Sequence, residues 1–245
     1  MKTSASASAS APDSTPRNIA PHPLDRVIWE SLTTQHRSFA LGDELARRYP
    51  AAVAPFAAIA DTSTASFESL RNLMTPGDVV VLFTIDDLAP PDEFAVVEHK
   101  TIDQMIGPTN GEPRRDTLIA RLGPPDFDEI MALIDLTKPG PFRVRTQELG
   151  LYLGVRVDGR LAAMAGERMH LDGYTEISAV CSHPDFRGRH YANDLILTLT
   201  NAVQTRGETP FLHVLSENQA AISLYRRLGF ARRTRIHLTV LRRVA

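Results

Sequence analysis

The strongest constraint on the fold lies in the second half of the chain, where two Asp-Gly pairs punctuate three apolar runs. LYLGVRV, Leu151 to Val157, is followed by Asp158-Gly159 and then by RLAAMAGERMHL, Arg160 to Leu171. A second pair, Asp172-Gly173, leads into YTEISAVCS, Tyr174 to Ser182. Asp-Gly readily takes the positive backbone angles of a two-residue hairpin, so this region predicts three antiparallel strands in succession. The pattern then changes. HPDFRGRHYANDL, His183 to Leu195, begins as a turn and ends as the first turn of a helix. Ala192, Leu195, Ile196, Leu199, Ala202 and Val203 recur at helical spacing, and Gly207 follows the end.

The flanking segments fit a mixed architecture. DFDEIMALIDLT predicts a helix with Asp126 or Asp128 as cap, ended by KPGPF. TPFLHVL reads as a buried strand, NQAAISLYRRL as a helix stopped by Gly229, and ARRTRIHLTVLRR as an alternating strand. In the first half, PLDRVIWESLTTQHRSFAL, DELARRYP and SFESLRNLM read as helices. DVVVLFTI, after the breaker Pro76-Gly77, reads as a strand, and FAVVEHKTIDQMI as holding another. Residues 1–22, rich in Ala, Ser and Pro, read as a disordered tail without the apolar core of a secretory signal. GPTNGEPRRD, Gly107 to Asp116, is polar and full of breakers, which places a boundary there. The expected organisation is a tail over 1–22, an N-terminal lobe over 23–110 and a second domain over 115–245. The fold class is α/β (α+β), a mixed, mostly antiparallel sheet flanked by helices.

Several function classes are disfavoured at once. With a net charge of -2, binding of nucleic acid by overall charge is not expected. The C-terminal arginines, from Arg226 to Arg243, read first as a solvated face, with a nucleic-acid patch or a partner for a ligand phosphate as the alternatives. No apolar run is long enough to span a membrane. The single cysteine, Cys181, excludes an intrachain disulfide and fits a reducing cytoplasm. His-x-x-x-His spacing and paired cysteines are absent, so no metal site is expected.

The charge crowded at the start of the helix after Tyr191 needs an explanation. Four N–H groups at a helix start lack partners, and the helix dipole makes that end positive. Arg187 and Arg189 add charge there, and Gly188 lets the backbone approach a ligand closely. Such a strand–loop–helix suits a pyrophosphate.

VCSHPDFRGRHYANDL and FLHVLSENQAAISLYRRLGF together resemble the Gcn5-related N-acetyltransferase (GNAT) superfamily, closest to its FR47-like branch. The resemblance runs from about Arg121 to Arg243. The family's pyrophosphate loop, Arg/Gln-x-x-Gly-x-Gly/Ala, is Arg187-Gly188-Arg189-His190-Tyr191-Ala192 here, with His190 at the usual central glycine. The later signature is intact as Asn218, Ala221, Leu224, Tyr225, Gly229 and Phe230.

The resemblance implies an acetyl-coenzyme A-dependent N-acetyltransferase acting on a primary amine by direct attack on the thioester, the acceptor a small molecule or a peptide. It implies that Val180, Cys181 and Ser182 lie along the pantetheine. The loop from Gly188 through Arg189, His190, Tyr191 and Ala192 to Asn193 would hold the pyrophosphate, and Asn218 would flank the pantetheine arm. Tyr225 matches the family's general acid. Glu176 and His213 compete for the role of base. The resemblance also implies that the strands before and after the long helix splay apart, and that residues 23–110 are a degenerate half of the same fold. A rival reading is a non-catalytic acyl-coenzyme A-binding module, which His190 favours. A third is a nucleic-acid-associated acetyltransferase using the C-terminal arginines, and a ping-pong route through Cys181 is an alternative to direct attack.

Overall fold

A computed structural model describes residues 22–107, 112–114 and 116–244. The tail expected over 1–22 lies outside the described residues except for His22, as does the centre of the breaker-rich 107–116 segment.

The first part of the chain forms α1 (Val27–Thr33), three short strands β1 (Leu41–Gly42), β2 (Ala46–Arg48) and β3 (Ala57–Ile59), α2 (Thr64–Asn72), β4 (Val79–Thr84) and β5 (Phe94–Ile106). The second part forms β6 (Ile119–Arg121), α3 (Phe127–Thr137), β7 (Tyr152–Val157), β8 (Arg160–Leu171), β9 (Tyr174–Ser182), α4 (Tyr191–Thr205), β10 (Thr209–Leu215), α5 (Gln219–Arg227) and β11 (Ala231–Arg243). Strands β1 to β3 make a small sheet. The other eight form one large sheet in the order β4-β11-β5-β10-β9-β8-β7-β6. Its named pairs are antiparallel except β9 with β10.

The hairpin reading is correct in its chemistry. Asp158 and Gly159 both have positive φ, 50° and 77°, as a type I′ turn requires. Helix α4 lays Leu195, Ile196 and Leu199, all fully buried, against Val155, Ala163, Ala165, Ile177 and Leu212 on one face of the sheet. Each such side chain contributes about 1.5–3 kcal/mol on burial. Helix α5 adds Ile222 and Tyr225 to the same core. The other face is covered by α1 and the turn before it, through Leu24, Val27 and Ile28 against Val81, Met169 and Phe211, and by α3, through Ile130 and Leu133 near Met164 and Cys181.

Three sequence expectations change. DELARRYP is not a helix. The Asp43 carboxylate accepts from the Leu45 and Ala46 N–H groups, which turns the chain into β2, with Ala46 and Arg48 buried and Leu45 exposed. The helix expected through Leu41 stops at Thr33, where the Thr33 and Thr34 hydroxyls bond back to the Trp29 and Glu30 carbonyls. Asp126 precedes α3 but makes no side-chain cap to it; its carboxylate takes the Gly123 N–H and Arg156 instead. Across the breaker-rich segment the two halves share one sheet, because β5 lies between β10 and β11.

Candidate active site

The site is built where the large sheet opens. β9 and β10 pair only at Tyr174, Thr175 and Glu176 with Thr209, Pro210 and Phe211. Beyond that point β10 follows β5, its residues Phe211 to Leu215 opposite Ile106 to Ile102. β9 stays with β8 and bulges: Ser178 to Cys181 spans one step more than Gly166 to Met164, and Ala179 takes φ 52°. Among the described residues, the edge of β9 that faced β10 therefore has no strand partner from Ile177 to Ser182. Side chains from both strands line a cleft of about 620 Å³ there.

The helix start lies at one end of this cleft. Gly188 has φ 76° and His190 φ 64°, and His190 is the N-cap of α4. The first helical bond runs from the Asp194 N–H to the His190 carbonyl, so the Tyr191, Ala192 and Asn193 amides lack helical partners. The left-handed angle at 190 explains why glycine suits this position. Histidine adopts it here, exposed, so the substitution does not divert the loop. A buried carboxylate fixes the turn from behind: Asp194 accepts from the Arg114 backbone and guanidinium and from the Thr117 hydroxyl, while Arg114 donates to the Arg189 carbonyl.

The cleft gathers Val180, Cys181, Ser182, Arg187, His213, Asn218 and Tyr225. Gly188, Arg189, His190 and Tyr191 line a neighbouring hollow with Arg114 and Arg156, and Ala192 and Asn193 are half-buried in the first turn of α4. The Asn218 side chain caps α5 by accepting from the Ala221 N–H. Glu176 is not among the lining residues: it is fully buried one layer below.

Glu176 and His213 belong to one network. Arg168 Nε and Nη2 donate to the two Glu176 oxygens at 2.8 and 2.6 Å. His213 Nδ1 lies 2.7 Å from Glu176 Oε1. The other ring nitrogen, Nε2, lies 3.0 Å from the Gln104 amide nitrogen. That amide is oriented by its neighbours: it donates to the Leu24 carbonyl and its oxygen accepts from Arg233. Gln104 is thus a donor toward His213, which makes Nε2 the acceptor and Nδ1–H the donor to Glu176. Burial alone would raise the Glu176 pKa, but Arg168 and then His213 outweigh it and hold the carboxyl below its ordinary value.

Two further groups face the opening. Burial pushes the Tyr225 phenol up to about 12, so it carries its proton at neutral pH. Burial also pushes the Cys181 thiol up to about 11, against smaller opposing contributions from Thr137 and the Met164 backbone. A neutral thiol is a poor nucleophile.

The sequence reading did not find Arg168, Gln104, Phe56, Phe83, Glu98 or Lys100. All but Gln104 line the cleft. Arg168 was legible in principle: the Asp172-Gly173 turn sets β8 against β9, and a bulge between Glu167 and His170 brings Arg168 opposite Glu176. The other five come from the first half of the chain and carry no local signal.

A splayed parallel pair beside a helix N-terminus, inside an otherwise antiparallel sheet, places the chain in a class of α/β proteins with an open slot at the sheet's centre. The FR47-like protein family model matches residues 150–238. The chain resembles the crystal structure of a protein from Novosphingobium aromaticivorans DSM 12444, assigned as an acetyltransferase of the GNAT family, with 38% identity and a TM-score of 0.85 over 92% of this chain and 100% of that one. A GCN5-related N-acetyltransferase from Kribbella flavida shares the fold at 17% identity and a TM-score of 0.60, over 88% and 94% of the two chains. Among curated proteins, the [ribosomal protein bS18]-alanine N-acetyltransferase of Salmonella typhimurium (strain LT2) is 38% identical over 81 residues, 33% of this chain; the match spans about half, 54%, of that relative's length. The chain belongs to the GNAT family of N-acetyltransferases.

Proposed function

We propose that the protein transfers an acetyl group from acetyl-coenzyme A to a primary amine by direct attack, in the cytoplasm. The observation that carries this reading is the unpaired β9 edge from Ile177 to Ser182, running from Tyr225 and His213 toward the open amides of α4. An extended arm bearing amides completes such an edge as an added strand does, and the amides of residues 191–193 with Arg187 suit a pyrophosphate. These residues fit acetyl-coenzyme A, which supplies an activated thioester acyl group.

An amine near pKa 10 arrives protonated and must lose a proton. Both Glu176 oxygens are committed to Arg168 and His213, so Glu176 acts by orienting and His213 Nε2 takes the proton, displacing the Gln104 amide. Tyr225 donates to the leaving sulfur. A phenol at about 12 is a weaker acid than an ordinary thiol near 8.5, so this begins as a hydrogen bond and transfer is completed as burial raises the sulfur's own proton affinity. The acceptor enters beside Phe56, Phe83 and Glu98, from the first half of the chain. A small-molecule or peptide amine fits this reading, and the name of the Salmonella relative supports the peptide class.

The test is thermal unfolding with and without acetyl-coenzyme A. Ligand at 100 times its dissociation constant adds about 2.7 kcal/mol, which raises Tm by about 5–10 °C in a chain of this size. Tyr225→Phe is expected to keep that rise and to lose about 10²–10⁴-fold in kcat. No rise for the wild type sinks the assignment.

A further inference from the structure

On the other side of the sheet a second cluster forms. Thr239 pairs with His99 and His237 with Thr101, so the two imidazoles are diagonal neighbours on one face of β5 and β11. It is the face away from the cleft, because Glu98, Lys100 and Leu238 line the cleft and alternate with them. Thr84, at the end of β4, pairs with His237, so the loop that follows carries Asp87 to the same place. That loop is anchored. The Leu88 N–H donates to Asp87 Oδ1 at 2.9 Å, and the Leu88 side chain is buried in the core formed with α2. His99 Nε2 then lies 3.0 Å from His237 Nδ1, and Asp87 Oδ1 lies 3.4 Å from the first and 3.9 Å from the second.

We propose that Asp87, His99 and His237 form a binding site for a zinc-class divalent transition-metal ion. The point equidistant from the three donor atoms lies about 2.0 Å from each, the bond length zinc makes to imidazole nitrogen and carboxylate oxygen. The edges of the triangle also bracket the separation of about 3.3–3.5 Å between ligands on a tetrahedron of such bonds. Two imidazoles and one carboxylate select zinc or its neighbours over magnesium and calcium, which prefer oxygen. The ion takes the place of the proton between the two rings, each of which then carries its proton on the outward nitrogen. Asp87 and His99 are exposed, leaving the fourth position to water. The site clips the loop after β4 onto β5 and β11, a role separate from acetyl transfer. The expectation of no metal rested on spacing along the chain, which hides the trio: its members come from three separate stretches.

Titration of the purified full chain with Co²⁺, followed by competition with Zn²⁺, tests this. One ion per chain is expected, with the visible ligand-field bands of tetrahedral cobalt. His99→Ala and His237→Ala should each weaken binding by at least about tenfold, the scale that even outer-shell changes reach. His183→Ala, on a different histidine, should leave it unchanged. Zn²⁺ should raise Tm in the wild type and not in the two variants, whose circular dichroism reports that they are folded. A wild type that binds no Co²⁺, or binding that survives both substitutions, overturns the proposal.

Discussion

Glu176→Gln probes the network under the cleft. The substitution keeps the side chain's shape and removes its charge, which leaves the Arg168 guanidinium buried without an anion. Breaking one side of a buried pair costs about 3–5 kcal/mol, and at about 2–4 °C per kcal/mol for this size Tm falls by about 6–20 °C. The same pair replaced on both sides, as Arg168→Met with Glu176→Leu, should recover only part of that loss: apolar replacement of a buried pair is close to neutral, but the buried His213 Nδ1–H then loses its acceptor. The pH dependence has a definite sign. Glu176 is held below its ordinary pKa, so its contribution is present above the unfolded-state value near 4.3 and is lost as pH falls toward the depressed one. Thermal melts from pH 3 to 8 should show a steeper acid limb for the wild type than for Glu176→Gln. A Glu176→Gln protein that melts within about 2 °C of the wild type at neutral pH would refute the claim that this carboxylate is the counter-charge of Arg168.

Four other variants examine the site from different sides. Gly188→Ala forces a Cβ onto a left-handed backbone and should cost about 1–2 kcal/mol, a Tm fall of about 2–8 °C; His190→Gly should move Tm less, because relief of the same strain is offset by a freer unfolded chain. Asp194→Ala removes the acceptor of the Arg114 N–H, of its Nε and of the Thr117 hydroxyl, while the exposed guanidinium keeps its bond to the Arg189 carbonyl, and unfolding should report a loss of about 0.5–1.5 kcal/mol together with weaker acetyl-coenzyme A binding by calorimetry. Cys181→Ala should retain turnover in a thiol-release assay, whereas a covalent acyl-cysteine route would end with it.

How much of this was legible depended on the range of the determining contacts. The strands on either side of Asp158-Gly159 and the helix after Tyr191 are written in local periodicity and turn chemistry, and so are the loop residues from Arg187 to Asn193. Residues Ala46 to Arg48 were misread because three residues are too few to show a period, and the deciding contact is the Asp43 side chain curling the backbone. The roles of Glu176 and His213 stayed open for a different reason. Their chemistry depends on Arg168 and Gln104, and Gln104 reaches His213 only through the pairing of β5 with β10. The cleft wall of Phe56, Phe83 and Glu98 is equally non-local.

The position of β5 between β10 and β11 has a consequence for how the chain is made. Residues 94–106 leave the ribosome long before the two strands that flank them exist. Until residues 209–243 emerge, this long strand presents both edges to solvent, and unpaired edges invite association with other chains. Closing the sheet needs contacts between segments far apart in sequence, which slows folding relative to a protein built from local hairpins. The hairpins of β7, β8 and β9 can assemble early, but the two walls of the cleft meet only when β10 and then β11 zip onto β5. The cleft is therefore completed only after residues 209–243 have been made.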